Sequence, residues 1–180
     1  IVVPSSVSVC DHLILDDELA KPVVLLDRRV EALDVTSACT DDRGGARDAV
    51  ELFLSYGHKN IGLLLATAAA NGPKISQPEG VVSTVRDRRV GAMDAISAAD
   101  IPNPAIRYSR SNIDESTQAA RELLALNPRP TAILATNEEM ALGVLMACKE
   151  LGLSVGGDVS LISFDDSPWA LVVAPPISIV

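Results

Sequence analysis

The strongest constraint on the fold is the stretch over 131–169, TAILATNEEMALGVLMACKELGLSVGGDVSLISFDDSPW, where two short apolar runs flank one amphipathic segment. AILA and SLIS, with their small and apolar flanks, alternate too weakly to keep one wet face, so they read as strands buried on both sides. Between them Ala141, Val144, Leu145 and Cys148 recur at helical spacing, Thr136 and Glu139 stand at the distance of a capping box, and Gly152 supplies a stop. Strand, helix and strand make one βαβ unit, which requires parallel strands with the helix laid across the sheet. In such sheets ligands bind outside the carboxyl ends of the strands, so Asn137 after the first strand and Asp165 after the second are the earliest functional candidates.

The same alternation runs through the rest of the chain. Strands are expected at 1–3, 22–26 (PVVLL), weakly at 35–40, at 61–66, 105–108 and 177–180. Ala46, Ala49, Val50, Phe53 and Leu54 place one helix, with Asp41 or Asp42 as its cap and Gly57 as its stop. A second starts at Ser83 or Thr84 and carries Val85, Ala92, Met93, Ile96 and Ala99. Others are expected over 11–20 and about 115–126, the latter with Ala119, Ala120, Leu123 and Leu124 on one side and Pro128 beyond its end. Over 67–80 the composition turns to Ala, Asn, Gly, Pro and Ser, a surface loop of unusual length for an α/β connection. The fold class is therefore α/β, with a mostly parallel, doubly wound sheet.

Composition narrows the function. The 180 residues are 48% hydrophobic, enough for a packed core, and the net charge is −9 without any Lys/Arg block, which is not the footprint of a nucleic-acid surface. No apolar run approaches the roughly 18 residues of a membrane span. Cys10, Cys39 and Cys148 have no CxxC or Cys/His spacing, which predicts reduced, buried thiols in a cytoplasmic protein and no metal site. His12 and His58 are the only histidines, and no Walker loop, zincin spacing or paired catalytic acids accompany them, so no enzyme activity, catalytic residue or cofactor is expected. Ile1 is not an initiator Met, and the opening IVVPSS begins inside a strand-to-loop pattern, as in a piece of a longer protein.

The motifs PVVLLDR, TDDRGGARDAVELFLSYGHKNIGLL, RDRRVGAMDAI, NEEMALGVLMACKELGL with DVSLISFDD, and PPISIV together resemble the effector-binding core of the lactose/galactose repressor family, across essentially the whole chain. That resemblance implies a two-lobed fold like the type I periplasmic sugar-binding proteins, with ligand clamped between lobes. It further implies homodimerisation, and operator DNA read through a segment not in this chain. By the same likeness 1–40 is a partial amino-terminal lobe and 41–180 a nearly complete carboxy-terminal lobe. The missing first strand would leave 1–3 and 22–26 without their neighbour. The expected function is the sugar- or small-metabolite-binding core of a transcriptional regulator, a repressor. The alternative is a periplasmic or surface sugar-binding protein of a transport system.

Six residues are candidates for the ligand site, each with a structural role beside the functional one. Asp165 matches the family's acid that accepts from ligand hydroxyls or amines, and a carboxylate is suited to hold two donors at once; the structural role beside it is a helix cap or turn acid. Asn137 matches the pocket asparagine and is also placed to cap a helix. Arg88 stands three residues before Gly91, the family's arginine-to-glycine spacing, and offers a fixed fork of donors. Thr84 matches a pocket hydroxyl or caps its helix, and Asp27 matches the amino-terminal lobe's sugar-contacting acid or is an exposed loop acid. Trp169, the sole tryptophan, would stack on a sugar or anchor packing. Where several family members place a stacking aromatic this chain has Asn112, which favours a sugar or polyol over a purine.

Overall fold

A computed structural model describes residues 1–4, 22–31, 33–67, 81–102 and 104–180. The helix expected at 11–20, residues 68–80 of the expected loop, Cys10 and His12 lie outside them. Strands β1 (Val24–Leu26) and β2 (Thr36–Ala38) form a small parallel sheet, and α1 (Asp42–Ser55), β3 (Ile61–Ala66), α2 (Ser83–Ala98), β4 (Ala105–Ser109), α3 (Ile113–Leu124), β5 (Ala132–Ala135), α4 (Glu138–Leu151), β6 (Ser160–Ser163) and β7 (Ser178–Ile179) follow. The second sheet has the order β4-β3-β5-β6-β7, and its pairings are parallel.

The strand order reverses at β3, because one crossover leads outward to β4 and the next returns past β3 to β5. With right-handed crossovers that reversal puts α2 on one face and α3 and α4 on the other. Accordingly α1 packs with α2, and α3 with α4. Covered on both sides, β3 and β5 are buried at every residue, which is why they contain no polar side chain. Leu63, Leu64, Leu123 and Ile133 are among the side chains sealed in the core, each contributing roughly 1.5–3 kcal/mol by leaving water.

Local sequence sets the helix ends, in places differently from expectation. Asp41, not Asp42, caps α1 by accepting from Gly44 N at 2.9 Å. Helix α2 starts at Ser83, but neither Ser83 nor Thr84 caps it; the Ser83 hydroxyl accepts from Arg29 N at 2.8 Å instead. Helix α3 begins at Ile113, and Asn112 caps it by accepting from Glu115 N. The Thr136–Glu139 capping box does not form, because Asn137 accepts from Met140 N at 3.0 Å and Thr136 turns into the sheet. Gly152 ends α4 with φ 68°, a left-handed position suited to glycine.

Residues 1–3 and 22–26, expected without the first strand as neighbour, pair with each other: Val2 bridges Leu25, donating to Val24 O and accepting from Leu26 N, both at 2.9 Å. Apolar surface still remains on that remnant, at Ile1, Val3 and Leu26. One further expectation is corrected: Cys148 is buried as expected, but Cys39 is exposed, just past β2, whose own residues are exposed too. Burial pushes the Cys148 thiol up to about 11, which leaves a thiolate fraction on the order of 10⁻³ at about pH 8. A maleimide is therefore expected to label Cys39 in the native protein and Cys148 only after denaturation, as read by peptide mass mapping. Native labelling of both at one rate would contradict that burial.

Candidate functional site

The carboxyl ends of β3, β4, β5 and β6 converge at the point where the strand order reverses, and β1 ends opposite them. A cleft of about 620 Å³ opens there. β3 brings Ala66 and Thr67 to it, the turn after β4 brings Arg110 and Ser111, β5 leads into Thr136 and Asn137, and Asp165 follows β6. Helix α2 presents Thr84, Val85 and Arg88, and β1 contributes Asp27 and Arg28 from the other side. Five of the six sequence candidates, Asp27, Thr84, Arg88, Asn137 and Asp165, thus line one space.

Arg88 is the most constrained of them. Its Nε donates to Asp42 Oδ1 at 2.7 Å, one Nη donates to Thr136 O, and its guanidinium lies 4.1 Å from the Phe164 ring centroid. The second Nη is 3.8 Å from Asp165 Oδ1, outside hydrogen-bond range, so that edge of the fork still has donors for a guest. Asp42 is buried, and desolvation raises its pKa against the opposing pull of Arg88.

Both strand-end acids adopt left-handed backbone, Asp27 at φ 70° and Asp165 at φ 72°. Aspartate tolerates that region better than most side chains, and residues held there concentrate at functional sites. The Asp165 side chain is 55% exposed, open to the cleft. Asp27 pairs with Arg28 Nε at 3.3 Å. The Asn137 side chain caps α4 with its oxygen and donates through its nitrogen to Ser111 Oγ at 2.9 Å. Its capping and cleft-lining positions therefore coexist.

Trp169 is the candidate the structure sets apart. It is absent from the cleft lining, and its indole Nε1 donates to Glu138 Oε1 at 2.7 Å. It packs against the core and holds Glu138, which itself lines the cleft, so it stands behind the site and not in it.

Several site residues escape a reading of the sequence. Asp42 was legible only as one of two possible caps. Thr136 Oγ1 donates to Leu64 O and accepts from Ala66 N, a clip between β3 and β5 that no local pattern signals. Glu138 and Glu139 look like ordinary first-turn acids of α4, and only the three-dimensional convergence brings them to the cleft.

Beyond the cleft, His58 bridges Thr131 Oγ1 and Ser160 Oγ at 2.9 and 3.0 Å, at the amino ends of β5 and β6. Among the described residues no cluster of side chains is arranged to hold a metal ion, and no helix is long and apolar enough to cross a membrane. Ion pairs Arg29–Asp87 and Arg86–Glu31 tie the segment after β1 to the first turns of α2, beside the cleft.

Residues 50–180 match the family model of the periplasmic binding protein-like domain. The chain is 33% identical to the HTH-type transcriptional regulator MalR of Streptomyces coelicolor over 88% of its own length and 44% of the regulator's. It is also 33% identical to the protein named probable opine utilization operon repressor of Rhizobium rhizogenes, over 78% of this chain and 69% of that one. Among solved structures, a sugar-binding transcriptional regulator of the LacI family from Escherichia coli, complexed with phosphate, superposes with a TM-score of 0.78 at 25% identity, covering 99% of this chain and 60% of that one. The chain spans less than half the length of the first curated relatives it matches. The relatives are regulators, not enzymes.

Proposed function

This chain belongs to the lactose/galactose repressor family, and from that premise we propose that it is the effector-binding core of a cytoplasmic, DNA-binding transcriptional regulator, a repressor. The observation that carries the proposal is the convergence of Asp27, Thr84, Arg88, Asn137 and Asp165 on one cleft at the reversal of the strand order. On this reading 1–40 belongs to the amino-terminal lobe and 41–180 forms the carboxy-terminal lobe. A carbohydrate effector would lie between Asp27 on one side and Asp165 with Arg88 on the other, its hydroxyls donating to the acids and accepting from the guanidinium.

Closing the lobes on such a ligand would shift a two-state equilibrium in a homodimer, which passes the shift to operator-reading segments outside these residues. A coupling of about 1–3 kcal/mol is enough to change operator affinity usefully. The names of the relatives favour regulation over the transport alternative.

The test is a thermal-shift screen of mono- and disaccharides on the complete protein, followed by Asp165→Ala. The substitution is expected to abolish the ligand-induced rise in Tm while leaving operator binding without ligand intact. Stabilisation by the same sugar at the same magnitude in the variant would remove Asp165 from the site.

A further inference from the structure

Given the cleft as an effector site, its charge inventory speaks to the class of effector. Among the described residues, four carboxylates and three guanidiniums line it. The guanidiniums are already engaged. Arg28 pairs with Asp27 and donates to Pro4 O at 2.8 Å, Arg88 is held by Asp42, and Arg110 is held by both oxygens of Glu115. The carboxylates other than Asp27 are not neutralised in the same way. Among the described residues, Glu138 receives the neutral indole N–H of Trp169, Asp165 has a long 3.8 Å ion pair with Arg88 and no hydrogen bond from it, and the Glu139 side chain makes neither a hydrogen bond nor an ion pair.

Helix ends do not reverse the balance. The amino terminus of α4 points into the cleft and would attract an anion if bare, but Asn137 caps it and Glu138 and Glu139 occupy its first turn. The first turn of α2 has no acid and no side-chain cap, so its amide groups beside Thr84, with the open edge of Arg88, form the donor side of the cleft. One helix end and one paired guanidinium can receive ligand oxygens. They do not offset Glu138, Glu139 and Asp165 together, of which, among the described residues, only Asp165 faces a guanidinium, at the long ion-pair distance of 3.8 Å from Arg88.

We propose that the cleft takes a hydroxyl-rich ligand bearing a protonated amine and discriminates against anionic sugars. The amine is placed against Asp165 and Glu139, where acceptors are unspent, and hydroxyl oxygens meet the α2 amides and Arg88. A uronate or a sugar phosphate brings a like charge to the same acids, the kind of juxtaposition that sets specificity at interfaces.

The experiment is calorimetric titration of the complete protein with matched hexose sets of gluco, galacto and manno configuration: the 2-amino sugar, the parent hexose, the uronate and the 6-phosphate, with disaccharides that carry the same amine. The amino member is expected to bind at least about tenfold tighter than the anionic members, with the parent between. In the Glu139→Gln/Asp165→Asn double variant, its Tm without ligand serving as the folding control, that ratio is expected to fall toward one. Equal or tighter binding of a uronate or phosphate overturns the charge selection but leaves effector binding standing. A ratio unchanged in the double variant overturns the assignment to these carboxylates. Silence of every sugar at millimolar concentration overturns both this proposal and the effector-site reading beneath it.

Discussion

Gly91→Ala is expected to cost about 3 kcal/mol of stability, the largest effect of a methyl group added at any of the described glycines. A Cβ at Gly91 would lie 2.0 Å from Arg43 O, 2.8 Å from Arg43 C and 3.0 Å from Arg43 Cα. These are backbone atoms of α1, so no rotamer change relieves the clash and the two helices must separate. Separation loosens the packing of Ala46 and Ala92, both fully buried between sheet and helix pair. It also displaces α2, which presents Thr84 and Arg88 to the cleft, so effector binding should fall along with stability. Urea unfolding should show a lower midpoint with little change in slope. Gly143→Ala provides the counterpart on the other face, where the added carbon meets Ser116 backbone at 2.5 Å. A loss below about 1 kcal/mol at Gly91 would mean that α1 slides on the sheet at little cost.

That contact illustrates what the sequence can and cannot convey. The spacing of Arg88 and Gly91 is visible as a pattern, yet the reason for glycine is the approach of a carbonyl more than forty positions earlier. Elements whose signals are local were readable: β3 and β5 as unbroken apolar runs, α4 by its periodic Ala141, Val144 and Cys148, and its end by Gly152. The position of the cleft also followed, because parallel strands place their carboxyl ends together whatever the side chains are. Choices between neighbouring residues did not follow. Asp41 and Asp42 compete for one cap, and the outcome depends on Arg88 reaching Asp42 from α2. Thr136 and Asn137 compete for another, and Thr136 loses because Leu64 and Ala66 of the adjacent strand claim its hydroxyl. Trp169 was left between stacking on a ligand and anchoring packing, and what separates the two is the distant Glu138 that takes its indole N–H. In each case the deciding partner is distant in sequence, which periodicity and spacing do not encode.

Arg88→Met is expected to be destabilising by about 3–5 kcal/mol near neutral pH, because it removes one member of a buried ion pair and leaves the other. Asp42 is 5% exposed, and among the described residues its side chain has, besides Arg88 Nε, only Thr40 Oγ1, at 3.3 Å. Methionine keeps the length of the stem over Phe164 but supplies no donor to Asp42 or to Thr136 O. The pH dependence follows from Asp42. Burial already holds its native pKa above the ordinary carboxylate value, so its contribution to folding is fully present below the unfolded-state pKa and is lost as pH rises through the native one. Taking away Arg88 removes the main lowering influence and moves the native value further up. The deficit of Arg88→Met should therefore be greatest at neutral and alkaline pH and shrink on acidification, as Asp42 takes up a proton and becomes a neutral buried group. Asp42→Asn in the same background should recover part of the loss at neutral pH, since it leaves no stranded charge, and the recovered stability should be nearly independent of pH. Both proteins should lose effector-induced stabilisation, because the open edge of the guanidinium is gone in each. A deficit that does not shrink in acid, or a double variant no more stable than Arg88→Met, would mean that the cost lies in lost packing on Phe164 and not in the unpaired carboxylate.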